Sequence, residues 1–386
     1  MSFQEVLSEY QDFDFASFFA GVTDADVQRS LDRASPNAID FLTLLSPRAA
    51  DHLEALARRA QQLTVQYFGR TIQMFIPLYL SNHCNNRCTY CGFNVRNAIA
   101  RRALSFAEIE REAAAIARTG MQHVLILTGE DRRITPPDYL ADAAAVLRRH
   151  FASVSIEVYP LHTEEYAQLK VAGVDGMTVF QETYDPVLYK TVHLGGNKRD
   201  FGWRLDAPER AAQAGLRTVN IGALLGLAEP RSEMFRTGLH ARYLEDRYLQ
   251  SEVAVSFPRI NAAEGDFTAV HAVDDRLFVQ MITALRIFLP RAGITLSTRE
   301  RAALRDRLLP LGVTRLSAGV STRVGGYASL EVPSGASVSA SVIAPSSTAQ
   351  NTPQFEITDT RSVAEVTAAI VAQRYQPVFK DWEATL

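Results

Sequence analysis

Short apolar runs recur through the middle of the chain, each closed by a turn or capping signal. Eight read as strands: 75–81, 123–128, 154–159, 177–180, 219–224, 253–257, 294–297 and 313–317. Their Val, Ile and Leu residues are nearly continuous rather than alternating, which suits strands buried on both faces of a parallel sheet. Helix signals fill the gaps. Ser105-Phe-Ala-Glu108 has the form of a capping box, and its helix should stop at Gly120; Asp206-Ala-Pro-Glu209 opens another that ends near Gly215. Spans 274–288 and 297–308 complete the later crossovers. Eight strand–helix alternations predict an α/β fold, a (β/α)8 TIM-type barrel, with a doubly wound open sheet as the alternative.

The flanks read differently. Residues 1–70 form a helical N-terminal extension, as in the pattern over 47–62, and the barrel is expected over 71–326. The tail, 327–386, begins with a stretch at 332–354 rich in Ser, Ala and Pro, which reads as a flexible loop or linker. Ser362-Val-Ala-Glu365 then has capping-box form before a short amphipathic helix.

Composition adds exclusions. Hydrophobic residues make up 47% and charged residues 22%, enough apolar matter for a sizeable core. A formal charge of −3 provides no whole-protein field for nucleic acid or an anionic membrane. The first residues carry acids where a signal peptide needs bases, and no apolar run approaches the ~18 residues of a membrane span, so a cytoplasmic location is expected.

The candidate chemistry sits in three cysteines, Cys84, Cys88 and Cys91, all on the loop after the first strand. In a barrel that loop lies at the C-terminal mouth, where active sites of this fold are built. Clustering within eight positions argues for a metal in a reducing compartment rather than a disulfide framework. Soft thiolates suit an iron–sulfur cluster, and closed clusters usually take four protein thiolates. With three cysteines in the chain, one iron would stay open to an exchangeable ligand. A structural zinc site completed by His83 is the plainer alternative, although adjacent His83 and Cys84 are poorly spaced to close on one ion.

Cys-x3-Cys-x2-Cys with Tyr90 before the last cysteine resembles the signature of the radical S-adenosylmethionine (SAM) superfamily. The resemblance implies a [4Fe–4S] cluster on Cys84, Cys88 and Cys91 and SAM on its open iron, cleaved to a 5′-deoxyadenosyl radical. It also implies that Gly129 and Glu130 receive the SAM amino group, Gln181 and Glu182 the ribose, and Arg204 the carboxylate. Gly222 and Gly226 would let backbone approach the adenine. The bland readings are a rim acid for Glu182 and helix–sheet packing for the two glycines.

The segments LYLSNHCNNRCTYCGF, FQETYDPVLY, NIGALLGL, SFPRI, LSTRE, SAGVSTRVGGY and QPVFKDWE are together similar to the 2-iminoacetate synthase family, the tyrosine lyases of thiamine biosynthesis. That resemblance implies L-tyrosine as substrate, Arg299 as its carboxylate clamp with Tyr79 and Ser317 nearby, and breakage of Cα–Cβ. It also implies a thiazole synthase as consumer of the product and a reductant such as flavodoxin or ferredoxin. Arg299 could instead serve a structural ion pair with Glu300 or Glu182. Tryptophan lyases of thiopeptide pathways share the motifs. The tyrosine lyases that mature [FeFe]-hydrogenase carry a second cysteine cluster, whereas no cysteine follows Cys91. A non-catalytic iron–sulfur protein is the alternative of another class.

Overall fold

The structure, a computed structural model, describes residues 2–265, 267–328 and 352–380. Eight strands follow in chain order: β1 (Thr71–Ser81), β2 (His123–Thr128), β3 (Ser153–Glu157), β4 (Gly176–Glu182), β5 (Thr218–Ala223), β6 (Glu252–Ser256), β7 (Gly293–Leu296) and β8 (Arg315–Ser317). Each pairs in parallel with the next, and β1 pairs with both β2 and β8, so the sheet closes on itself. Closure rules out the open doubly wound sheet. A short strand, β9 (Gln376–Val378), joins the N-terminal half of β1 at Thr71, Ile72 and Gln73.

Outside the barrel the apolar stripes of the crossover helices meet the outward residues of the strands in one continuous core. The N-terminal helices join the same core. Leu53–Phe68 and Ala38–Leu44 lie against Asp275–Phe288, where Phe41 stacks on Phe288 with ring centroids 4.5 Å apart. Gly238 makes room for that ring, since a Cβ there would lie 2.3 Å from Phe41. Among the described residues no helix is long and apolar enough to cross a membrane.

The Ser105 capping box forms as expected, and its helix, Phe106–Ala117, is followed by Gly120 at φ +86°. The Ser362 box also forms. Three helix expectations change. The span over 47–62 is split into a 3-10 turn, Arg48–His52, and a helix that runs to Phe68. Asp206 does not cap the following helix with its side chain; its carboxylate accepts from Gln4 Nε2 at 2.9 Å instead. The crossover expected from 297 begins only at Ala302, because Ser297 to Arg301 form a loop over the barrel mouth.

The inward side chains of the barrel include many small polar residues, among them Ser155, Thr178, Asn220, Ser256, Thr295 and Ser317. They leave the interior hollow, where barrels of this type are ordinarily filled by layers of branched side chains. Most of the stretch read as a linker, 332–351, lies outside the described residues. Its end does not behave as a linker: the chain from Thr352 to Arg361 is braided into the loops after β6, β7 and β8. Asn261 donates to the Glu356 carbonyl, Thr358 N–H to Thr298 O at 2.9 Å, and Gln354 N–H to Thr322 O.

Asp359 anchors this segment through a buried ion pair with Arg305, whose guanidinium also donates to the Ser317 carbonyl. Burial opposes the Asp359 charge, but Arg361 and Arg305 hold its carboxyl down at about 2. Asp359→Ala leaves Arg305 buried without its counter-charge and should cost about 3–5 kcal/mol, read by chemical denaturation, with earlier proteolysis of the tail. A carboxyl depressed in the fold contributes stability above its ordinary range and loses it as pH falls toward 2. The wild-type chain should therefore lose this contribution on acidification below pH ~4, and Asp359→Ala should not.

Candidate active site

The loop beyond β1 is held by polar side chains rather than by an apolar core. Asn82 donates to Ala100 O at 2.7 Å and accepts from Arg102 N–H, closing the base of the loop. Arg101 reaches inside it to the carbonyls of Asn82, Phe93 and Asn94. Cys88 is buried, and Cys84 and Cys91 are half-buried. Burial raises all three thiols, Cys84 to about 11 with Glu130 adding to the effect. Thiolates at this place call for a cationic metal group.

Among the described residues no three His, Cys, Asp or Glu side chains are placed to hold a single metal ion. The closed zinc shell with His83 is thus not formed. Three thiols on one loop, with no fourth cysteine in the chain, do fit a [4Fe–4S] cluster with one iron free of protein donors.

Gly129 passes directly beneath this loop: its N–H donates to Ser81 O, and a Cβ would lie 2.3 Å from His83 O. The next residue, Glu130, begins a buried chain of alternating charges. It accepts from Arg204 at 2.9 Å and from Asn86 at 2.9 Å; Arg204 also donates to Phe180 O at 2.6 Å. Lys198 donates to Glu182 at 2.7 Å. Burial works against the Glu130 charge, yet Arg204 and Lys198 hold its carboxyl below the usual range. Glu182 has φ +71°, at an irregularity in the β4–β5 pairing that turns its carboxylate toward the cavity.

Tyr90 lies at the cavity wall, and its hydroxyl bonds His193 Nε2 at 2.7 Å. His193 Nδ1 faces the Tyr189 carbonyl, so that nitrogen carries the proton and Nε2 accepts from Tyr90. Burial, then Lys198 and Arg204, pull His193 down to about 2 and keep it neutral.

A cavity of about 170 Å³, open at one end, runs from Cys91 and Tyr90 at the mouth into the barrel. Tyr79, Glu182, Arg299 and Ser317 all line it. The Arg299 guanidinium lies 3.4 Å from the centre of the Phe355 ring. It is not paired with Glu300 or Glu182, the partners a structural role would require. Glu300 is gripped by Arg259 and Glu182 by Lys198.

One sequence candidate, Gln181, faces away from the cavity, and two glycines have local backbone reasons of their own. Gln181 alternates away from Phe180 and Glu182 and faces the helix Phe201–Leu205, donating to Phe201 O at 3.5 Å. Gly222 is dictated by its neighbours, since a Cβ would lie 1.6 Å from Ser256 O. Gly226 has φ +117°, which favours glycine. Sequence reasoning missed Lys198, Asn86, His193, Glu157, Gln354 and Phe355. The Gly195-Gly196 pair ahead of Lys198 was a usable signal: a Cβ at Gly196 would lie 2.2 Å from Asn86 Oδ1, so the glycines let that loop press against the cysteine loop. Gln354 had no such signal, yet it accepts from the Tyr79 hydroxyl at 2.7 Å and its carbonyl receives the Gly92 N–H.

The family model of the radical SAM superfamily matches residues 78–237, and that of the biotin and thiamin synthesis associated domain matches 256–376. The chain is 42% identical over 370 residues to the 2-iminoacetate synthase of Escherichia coli (strain K12), covering 95% of this chain and 93% of that one. It is 41% identical over 367 residues to the 2-iminoacetate synthase of Salmonella typhimurium, with the same coverage. Among solved structures, HydG, a maturase of the [FeFe]-hydrogenase, superposes with a TM-score of 0.82 at 26% identity, covering 98% of this chain and 79% of that chain. HydG from Carboxydothermus hydrogenoformans gives 0.81 at 29% identity, covering 98% and 83%. A barrel with a three-thiol loop at its mouth, matched nearly end to end by these relatives, is therefore a radical SAM enzyme that uses a [4Fe–4S] cluster and SAM, and the chain belongs to the 2-iminoacetate synthase family.

Proposed function

We propose that the enzyme cleaves the Cα–Cβ bond of L-tyrosine, releasing 2-iminoacetate and p-cresol, with Arg299 as the substrate's carboxylate clamp. The observation that carries this reading is the Arg299 guanidinium itself: it lines the cavity, lies over Phe355 and forms no ion pair with the nearby acids. A cation placed so in a dry cavity is suited to a bidentate carboxylate. Tyr79 and Ser317 line the same cavity.

Cys84, Cys88 and Cys91 would hold the cluster, which with SAM supplies the 5′-deoxyadenosyl radical. Glu130, already satisfied on one side by Arg204 and Asn86, would take the SAM amino group together with Gly129, and Glu182 the ribose. Arg204 is engaged by Glu130 and Phe180, so in this reading it acts on SAM chiefly by fixing Glu130. Tyr90, oriented by His193, bounds the same space. Phe355 and Gln354 exclude water from the substrate end. The helices before Thr71 serve as an extension that buries the barrel flank, and the segment from Thr352 to Arg361 as a cover of its mouth.

The family context supports a cytoplasmic enzyme that takes electrons from a flavodoxin or ferredoxin and passes 2-iminoacetate to a thiazole synthase. The test is anaerobic cluster reconstitution followed by incubation with SAM, reductant and tyrosine. Formation of 5′-deoxyadenosine and p-cresol is expected; deoxyadenosine without cresol would reject tyrosine cleavage and leave the radical chemistry standing. Cys88→Ala should abolish cluster iron and sulfide, measured after reconstitution, while circular dichroism stays unchanged. Arg299→Leu should weaken tyrosine binding by about 1.5–3 kcal/mol, roughly ten- to hundredfold, with SAM binding preserved. Arg299→Lys should fall between, because an ammonium cannot grip both carboxylate oxygens in one plane.

A further inference from the structure

β3 stands opposite β7 in the closed ring, four strands away in either direction. At the end of β3, Glu157 turns into the same cavity that holds Arg299 beyond β7. Leu125 and Leu127 of β2 and Pro77 of β1, on strands that follow β3 around the ring, line the same cavity. Of the other acids of the cavity, Glu182 is held by Lys198, and Asp175 accepts from the Ser153 hydroxyl through Oδ1 while its Oδ2 is buried without a partner. Glu157 has neither a hydrogen bond nor an ion pair to its carboxylate among the described residues.

An acid enclosed without a donor is costly unless a ligand brings one. We infer that Glu157 is the specificity-determining residue for the far end of the substrate, accepting a hydrogen bond from the hydroxyl of an aromatic amino acid whose carboxylate sits on Arg299. This rests on the tyrosine reading above and adds what selects tyrosine over phenylalanine. The cavity offers such a ligand a cation, apolar side chains and an acceptor. Burial, then Glu182, push the Glu157 carboxyl up to about 7 against the opposing pull of Arg299, Lys198 and Arg204. A site built to bond a hydroxyl rejects the analogue that lacks it, because its acceptor is then left unmet.

The test uses reconstituted holoenzyme with SAM under anaerobic conditions and measures tyrosine and phenylalanine binding by equilibrium dialysis for wild type, E157L and E157Q. Wild type should prefer tyrosine. E157L should lower tyrosine affinity roughly tenfold or more and leave phenylalanine essentially unchanged. E157Q keeps the shape and a weaker acceptor, and should reduce the preference by a smaller factor. If wild type binds tyrosine and E157L loses both amino acids equally, or neither, the assignment of Glu157 is overturned. Should E157L fail to fold, an unchanged tyrosine preference in E157Q overturns it equally. A wild-type holoenzyme that binds SAM but neither amino acid would reject the tyrosine reading itself and, with it, the role of Glu157.

Discussion

A four-iron cubane has four metal corners, and this chain offers three thiols. The missing donor is the constraint around which the barrel mouth is arranged. An open iron must be shielded from water and from foreign ligands, yet remain reachable by one small molecule. The loop meets this with hydrogen bonds from Arg101 and Asn82 that fix its backbone without adding a fourth metal ligand. Gly129 lets β2 end directly under the loop, and Gly92 lets the Gln354 carbonyl press on it from the other side.

Behind the thiols, charge is balanced by alternation rather than by solvent. Glu130, Arg204, Glu182 and Lys198 are all nearly buried, with side-chain exposures of 13%, 6%, 10% and 11%. Such a chain is a poor source of net stability, because desolvation consumes most of the attraction. Its value lies in preorganisation: each acid is oriented before a ligand arrives. The positive φ of Glu182 belongs to the same economy, a local backbone strain tolerated where Lys198 fixes the side chain.

The far side of the cavity follows another logic. Phe355, over Arg299, and Gln354, bonded to Tyr79, come from the C-terminal segment and reach the cavity because the tail crosses the barrel mouth. The Arg305–Asp359 pair holds that crossing in place from beneath. Tail docking and the shape of the cavity are thereby linked: the residues that cross the mouth also line it.

Everything carried by local pattern was legible in the chain. Eight apolar runs become eight strands because their outward Val, Ile and Leu residues pack in the shared core, and the Ser105 and Ser362 capping boxes are closed within four residues. The cysteine spacing likewise states its chemistry without a fold. What the sequence could not decide is direction and partnership across distance. The two-residue alternation of β4 turns Gln181 outward while Glu182, past an irregularity in pairing, turns inward. Ser297 to Arg301 have helix-compatible residues but are drawn into a loop by bonds to the tail at Thr358 and Asp359. Gln354 sits in a stretch whose composition reads as a linker, and only the closed barrel brings it 275 positions back to Tyr79. Local propensity is set by neighbours along the chain, whereas a binding site is set by which surfaces the packed core leaves facing one another.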